Sequence, residues 1–161
     1  MTNVIPEKIG IIAGNGVYPR LLAESARKQG VKSIFTIAFK GETDPVIEKF
    51  SNETKWLRLG QLNNMLNALK ESGVRHAVMA GQITPTSLFR VRMDKAMLSL
   101  LKKLPSKNAE TIFGAVGKEL KAMNIELLPA SSFMQDHMPS KGTLTRMEPD
   151  EREKNDIELG L

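Results

Sequence analysis

Residues 10–19 read GIIAGNGVYP, a stretch in which an apolar run stops at a Gly-Asn-Gly turn and a proline follows. The run at 9–13 is continuous and rich in β-branched residues, which is typical of a strand buried on both faces of a parallel sheet. Apolar residues at helical spacing follow over about 18–29, and Gly30 fits the C-terminal cap of that helix. This strand, turn and helix indicate an α/β fold.

The same alternation continues along the chain. Further strands are predicted at 33–39, 55–59, 75–80 and 125–128, with helices at 61–72 and 93–104, and a turn with a short helix within 42–50. Asn108 is predicted to cap one more helix, whose inward residues are Ile112, Phe113, Val116, Leu120 and Met123. Buried strands alternating with amphipathic helices predict a Rossmann-like α/β fold, an open and mostly parallel sheet with helices on both faces.

A chain of 161 residues is long enough for one domain that buries roughly 70% of its unfolded surface. We predict that residues 1–130 form the Rossmann-like N-terminal domain. Residues 131–161 contain few core residues and predict a loop followed by an acidic helix that starts near Pro149.

Composition excludes several classes of protein. The chain has no cysteine, which rules out disulfides and thiolate metal sites and suits a reducing cytoplasm. The N-terminus lacks the pattern of a signal peptide, and no apolar run approaches the ~20 residues of a membrane-spanning helix. The expected location is therefore cytoplasmic, with peripheral contact at the inner membrane as a further expectation that depends on the charge pattern below.

The net charge of +5 is unevenly distributed. Six cations and one acid lie within 90–107, whereas acids dominate 148–158. A basic segment fits an anionic ligand, an anionic membrane or a nucleic acid, and it equally fits a solvated helix face. Nucleic acid is the least favoured of these partners, because 5% aromatic residues with one Trp and one Tyr provide few stacking platforms.

Glycines end four predicted strands, at Gly14, Gly41, Gly60 and Gly81. Ligands of open α/β sheets bind outside the carboxyl ends of the strands, and the amides of Asn15, Gln61 and Gln82 lie at these turns. Such a set favours a nucleotide or phosphosugar over an apolar ligand. The alternative is that each glycine serves the turn geometry alone.

Neither standard nucleotide motif is present in the first loop. The dinucleotide fingerprint needs a third glycine where Pro19 stands and an acid near the end of the second strand, where Lys40 stands. The loop also lacks the Gly-Lys-Ser/Thr of a Walker A motif. Catalytic groups are equally hard to find, because His76 and His137 are far apart and lack metal-ligand spacing. We therefore assign no catalytic or metal-binding residue.

Three separated blocks resemble a known family: GIIAGNGVYPRLLAESARKQG, LGQLNNMLNALKESGVRHAVMAGQITP and GTLTRMEPDEREKNDIELGL. They are similar to the N-terminal half of the UDP-2,3-diacylglucosamine pyrophosphatases of bacterial lipid A synthesis, hydrolases that release UMP and 2,3-diacylglucosamine 1-phosphate (lipid X). The resemblance implies a divalent metal, Mg or Mn, whose ligands lie outside this chain. It also implies a C-terminal catalytic domain that this chain lacks, so that the chain alone is expected to be inactive.

The resemblance implies substrate contacts at nine positions, which are Gly14, Asn15, Gly16, Gly60, Gln61, Gly81, Gln82, Thr143 and Thr145. The expected partners are the UDP-sugar lipid, an anionic membrane surface in weak contact, the missing C-terminal domain and a second copy in a homodimer. The alternative interpretation is a stand-alone module that binds a nucleotide or phosphosugar without hydrolysing it.

Overall fold

A computed structural model of the protein describes residues 5–83, 91–106, 108–139, 143 and 146–160. Within these residues one sheet contains five strands, β1 (Lys8–Ala13), β2 (Ser33–Phe39), β3 (Glu53–Leu57), β4 (His76–Ala80) and β5 (Glu126–Leu128). All neighbouring strands are parallel, in the order β3-β2-β1-β4-β5. The predicted Rossmann-like α/β fold is confirmed, and the structure adds the strand order.

Helices cover both faces of the sheet. The described α-helices are α1 (Tyr18–Lys28), α2 (Leu62–Ser72), α3 (Lys95–Lys103), α4 (Ala109–Ala122) and α5 (Glu151–Leu159), with 3-10 helices at Pro45–Phe50 and Gln135–His137. Residues of α1 and the first 3-10 helix share one core cluster, and residues of α2, α3 and α4 share the other. Because the chain leaves β1 and β4 in opposite directions across the sheet, the topological switch point lies between these two strands.

Alternation along the strands separates these two cores. In β1, Ile9, Ile11 and Ala13 pack in the core cluster on the α1 side. Ile12 points to the other face and packs in the core cluster that contains α2. All three isoleucines are at most 8% exposed. Burial on both faces explains why the sequence shows a continuous apolar run and not an alternating one.

Local signals fix most helix ends. Gly30 and Gly73 follow α1 and α2 with φ of 110° and 73°, values that glycine adopts without strain. Asn108 caps α4 as predicted, with its side chain accepting a hydrogen bond from the Thr111 N–H. Asp94 caps α3 and also accepts from the Asn63 N–H at 2.8 Å, so one carboxylate joins the starts of α2 and α3.

Two element predictions need correction. The strand predicted at 55–59 lies at Glu53–Leu57, because the Arg58 N–H donates to Gln61 Oε1 in the turn before α2 instead of pairing in the sheet. Phe113 is 40% exposed, although helical spacing placed it inward. It lies at the edge of a cavity described below.

The chain after β5 contributes more to the core than its sequence suggests. Phe133 and Met134 are buried on the α1 face. The Ser25 hydroxyl and the Gln29 amide both donate to the Phe133 carbonyl, which anchors this segment to α1. Helix α5 is different, since all of its residues are exposed. The proposed division of the chain near residue 130 stays a prediction.

Candidate functional site

A cavity of about 240 Å³ opens at the carboxyl ends of β1, β2 and β4, on the face covered by α2, α3 and α4. The strand ends and the residues after them contribute Ile12, Gly14, Phe39, Met79, Ala80, Gly81 and Ile83. The turn before α2 and the helices contribute Leu59, Gly60, Gln61, Leu62, Met65, Met97, Ile112, Phe113 and Val116. We call this cavity the apolar pocket. It lies beside the β1–β4 switch point, where ligands of open α/β sheets bind.

The structure brings four of the nine predicted contact residues to this pocket, namely Gly14, Gly60, Gln61 and Gly81. Gly16 instead borders a cavity of about 20 Å³ between α1 and the first 3-10 helix. Asn15 and Gln82 are exposed beside the pocket, and Thr143 is exposed on the described surface. Thr145 lies outside the described residues. Whether these residues contact a substrate stays a prediction.

The first glycine loop pairs with the segment after β4. Asn15 and Gln82 form an antiparallel bridge. The Asn15 N–H donates to the Gln82 carbonyl with an N to O distance of 2.6 Å, and the Gln82 N–H donates to the Asn15 carbonyl at 3.0 Å. The Gly14 N–H donates to the Ala80 carbonyl. The backbone N–H groups of Gly14 and Asn15 are therefore engaged in contacts between the two loops. Backbone N–H groups that bind a phosphate at this turn would have to belong to other residues of the turn.

Close backbone approach explains two of the glycines. A Cβ at Gly14 would collide with the Gln82 carbonyl, and a Cβ at Gly81 would come within 2.5 Å of the Asn15 carbonyl. Gly81 also has a φ of 88°. The geometric reason for these glycines is thus contact between two loops, and it leaves the pocket wall beside them free of side chains.

The lining of the pocket is almost entirely apolar. Among the described lining residues, Gln61 is the one polar side chain, and its Oε1 already accepts the Arg58 N–H at 2.8 Å. The polar residues at the strand ends predicted a polar site, and sequence reasoning missed the methionines Met65, Met79 and Met97. The signal for Met65 and Met97 was an apolar helix stripe and the signal for Met79 was an apolar strand, and both patterns indicate burial in a core equally well.

The described lining residues of the pocket include no ionisable side chain. No group of three or more His, Asp or Glu residues that could hold a metal occurs within the described ranges. His76 Nε2 lies 3.7 Å from a Glu126 carboxylate oxygen at the start of β4, at the opposite end of that strand. His137 is exposed in the second 3-10 helix. The described residues thus offer the pocket no acid, base or nucleophile with a visible catalytic arrangement.

The match to a protein-family model decides the family. The LpxI N-terminal domain matches residues 8–137, which include all five strands and α1 to α4. This chain belongs to the LpxI N-terminal domain family. No curated protein sequence matches it. Family membership relates the chain to enzymes of lipid A biosynthesis.

Cations cover the outer side of α3, the helix that contributes Met97 to the pocket. Arg92, Lys95, Lys102 and Lys103 are exposed, whereas Met97 and Leu101 on the inner side are buried. Arg90 and Lys107 of the basic segment lie outside the described residues. No helix in the described part of the chain is long and apolar enough to cross a membrane.

Proposed function

We propose that this chain is the N-terminal, substrate-holding part of a hydrolase that cleaves UDP-2,3-diacylglucosamine to UMP and 2,3-diacylglucosamine 1-phosphate. The observation that carries the proposal is the match of residues 8–137 to the LpxI N-terminal domain. A pocket at the carboxyl edge of the sheet, bordered by four glycine-turn residues of the blocks that carry the resemblance, supports it.

In the proposed reaction, water attacks the α-phosphate of the UDP group, the bond to the bridging oxygen breaks, and UMP and the sugar 1-phosphate separate. A divalent metal, Mg or Mn, would stabilise the charge that develops on the phosphate oxygens. As the family resemblance implies, we assign the metal ligands and the catalytic groups to a second domain.

The part assigned to this chain is to bind and orient. Pairing of the loops at Asn15 and Gln82 fixes the pocket wall and leaves both side chains exposed at its border. A side-chain amide donates and accepts hydrogen bonds, which suits the hydroxyl and amide groups of an acylated aminosugar. We assign these two amides to the sugar, and the glycine positions to close passage of the substrate past the backbone.

The proposal is tested by measuring UMP release from UDP-2,3-diacylglucosamine in the presence of Mg²⁺ or Mn²⁺. We expect release by this chain joined to the C-terminal domain of a family member, and none by this chain alone. The joined protein with Asn15→Ala and Gln82→Ala should show a raised KM. Turnover by the chain alone would place catalysis within these residues, and inactivity of every joined protein would contradict the proposed reaction.

We further propose weak contact of the basic side of α3 with an anionic membrane. Each cation near such a surface contributes about 1 kcal/mol, and the attraction should vanish at 1 M salt, where the Debye length is about 3 Å. Co-sedimentation with anionic vesicles should fall for the Lys95/Lys102/Lys103→Glu variant. The Lys28/Lys40/Lys49→Glu variant, with the same change of charge at other exposed positions, should sediment like the wild type. Equal sedimentation of both variants would place the contact elsewhere.

A further inference from the structure

We propose that the apolar pocket binds one acyl chain of an anionic glycolipid and leaves the charged head group outside. The inference rests on the proposed function, since it says which part of the substrate this domain holds. It begins from the mismatch between the polar site predicted at the strand ends and the apolar pocket found there.

The chemistry of the walls selects the ligand. Side chains of Ile12, Phe39, Met79 and Val116 face the cavity, and a hydrocarbon chain within it would be removed from water on all sides that these residues cover. Each methylene transferred from water to such surroundings contributes about 0.8 kcal/mol. A volume of about 240 Å³ has room for several consecutive methylenes.

A uracil base is a poor occupant of the same space. Its carbonyl and N–H groups would lose their hydrogen bonds to water, and each buried polar group without a partner costs about 1–3 kcal/mol. Gln61 is the one polar side chain among the described lining residues, and its amide oxygen is engaged by the Arg58 N–H. The nucleotide part of the substrate is therefore expected outside this pocket.

The methionines give the pocket the adaptability that a flexible chain requires. Met65 comes from α2, Met79 from β4 and Met97 from α3, so that three separate elements each present an unbranched thioether to the cavity. Methionine has three rotatable side-chain bonds and fills irregular space at low cost. A wall of this kind can follow a bent acyl chain better than a wall of β-branched residues can.

The outer sides of α3 and α4 expose apolar and charged residues next to each other. Phe113 lines the pocket and is 40% exposed, and Leu98 on α3 is 47% exposed. Lys95 and Lys102 share the exposed side of α3 with Leu98, at spacings of three and four residues. These lysines lie on the side of α3 away from Met97, so they attract an anionic amphiphile over distance while its chain fits the apolar pocket.

The first experiment uses the purified chain and the fluorescent fatty acid cis-parinaric acid, displaced by a series of linear alkyl phosphates. Within the length that the pocket accommodates, each added methylene should tighten binding about fourfold. UMP should not displace the probe. A dissociation constant that is independent of chain length, or displacement by UMP, would overturn the proposal.

Variants separate binding in the pocket from binding on the surface. Val116→Phe fills the cavity, and Phe113→Asp places a charge at its exposed edge; each should weaken binding of dodecyl phosphate about tenfold. Ile157→Asp makes the same kind of change at an exposed position of α5, and it should bind like the wild type. Because Phe113 is partly exposed, its variant remains informative if Val116→Phe fails to fold. Equal binding by Phe113→Asp and Ile157→Asp would place the ligand elsewhere.

Failure of this inference can be told from failure of the proposed reaction. In the active joined protein, Phe113→Asp should raise the KM for the diacylated substrate and leave its folding intact. If the joined protein releases UMP with unchanged KM in this variant, the acyl assignment is wrong and the reaction stands. If the chain binds alkyl phosphates in a length-dependent way and no joined protein releases UMP, the acyl pocket stands and the reaction is wrong.

Discussion

The α1 face of the sheet leaves a cavity of about 20 Å³ at its carboxyl edge, whereas the face covered by α2, α3 and α4 leaves about 240 Å³. Both faces use the same strands and similarly apolar residues. On the α1 face, the segment after β5 adds Phe133 and Met134 to the core. It is held there by the Tyr18 hydroxyl, which donates to the Ala130 carbonyl at 2.7 Å, and by two donors to the Phe133 carbonyl.

Similar composition on the two faces of this sheet therefore does not decide which face keeps a cavity. The α1 face is closed by added side chains and hydrogen bonds, and the opposite face keeps space at the end of the sheet where ligands bind. We therefore expect substitutions on the two faces to separate loss of stability from loss of binding.

The largest effect is expected from truncation of a buried side chain on the closed face. Phe133→Ala should lower the free energy of unfolding by about 4 kcal/mol, and Met79→Ala by about 2 kcal/mol, because Met79 already faces empty volume and has fewer contacts to lose. Urea denaturation of both variants provides the comparison. Equal losses, or a greater loss for Met79→Ala, would mean that the two faces are packed alike.

The second effect concerns the loop between β1 and α1, which borders the apolar pocket at Gly14. Gly14→Ala should lower the free energy of unfolding by about 3 kcal/mol, since its Cβ would collide with the Gln82 carbonyl. Gly16→Ala is the control, because its added Cβ would meet no heavy atom within 4 Å although the φ of Gly16 is 93°. This variant should lower the free energy of unfolding by about 1 kcal/mol. Thermal melts measure both. A larger loss at Gly16 would show that close approach of the loops is not what requires Gly14.

A smaller effect is expected where α1 holds the segment after β5. Ser25 is 3% exposed and donates to the Phe133 carbonyl, so Ser25→Ala should lower the free energy of unfolding by about 1 kcal/mol. The Gln29 amide still donates to that carbonyl at 2.8 Å, which limits the loss. Ser99→Ala, at an exposed position of α3, should change nothing measurable by urea denaturation. If the urea denaturation curves of Ser25→Ala and Ser99→Ala are the same, the Ser25 hydrogen bond does not stabilise the packing of this segment on α1.

The smallest effect is expected at the opposite edge of the sheet, where Lys32 donates to a Glu7 carboxylate oxygen at 2.6 Å. This hydrogen bond and the lysine charge lower the pKa of Glu7, and the same contact raises the pKa of Lys32. The stabilisation is therefore present above the ordinary pKa of the carboxyl group and is lost as the pH falls through its folded value.

Both side chains of this pair are exposed, so the effect on stability should be slight. Lys32→Gln should lower the Tm marginally near neutral pH and not at all once Glu7 is protonated. Melts of wild type and variant across the acid range measure the difference. A difference that grows as the pH falls would contradict the sign of the coupling.

The secondary-structure elements and the fold class could be predicted from local sequence patterns. Strands and helices follow from hydrophobic period, and their ends from residues such as Gly30 and Asn108, whose backbone preferences and capping bonds act within a few residues. Three strand-end glycines and Gln61 line the cavity, because the carboxyl ends of parallel strands meet at one edge, and their contact with a substrate stays a prediction. Strand β3 ends at Leu57 and not at Leu59 as predicted, because the Arg58 N–H donates to the Gln61 side chain and not to a neighbouring strand.

The strand order, the pairing of Asn15 with Gln82 and the apolar character of the cavity become visible only in the folded structure. Met65, Met79, Met97 and Val116 each belong to an apolar stripe or strand that reads as ordinary core. An apolar stripe specifies which side of an element avoids water, but empty volume depends on how several elements pack against one another. For the same physical reason, the sequence could not show that Phe133 closes one face of the sheet while the other face stays open.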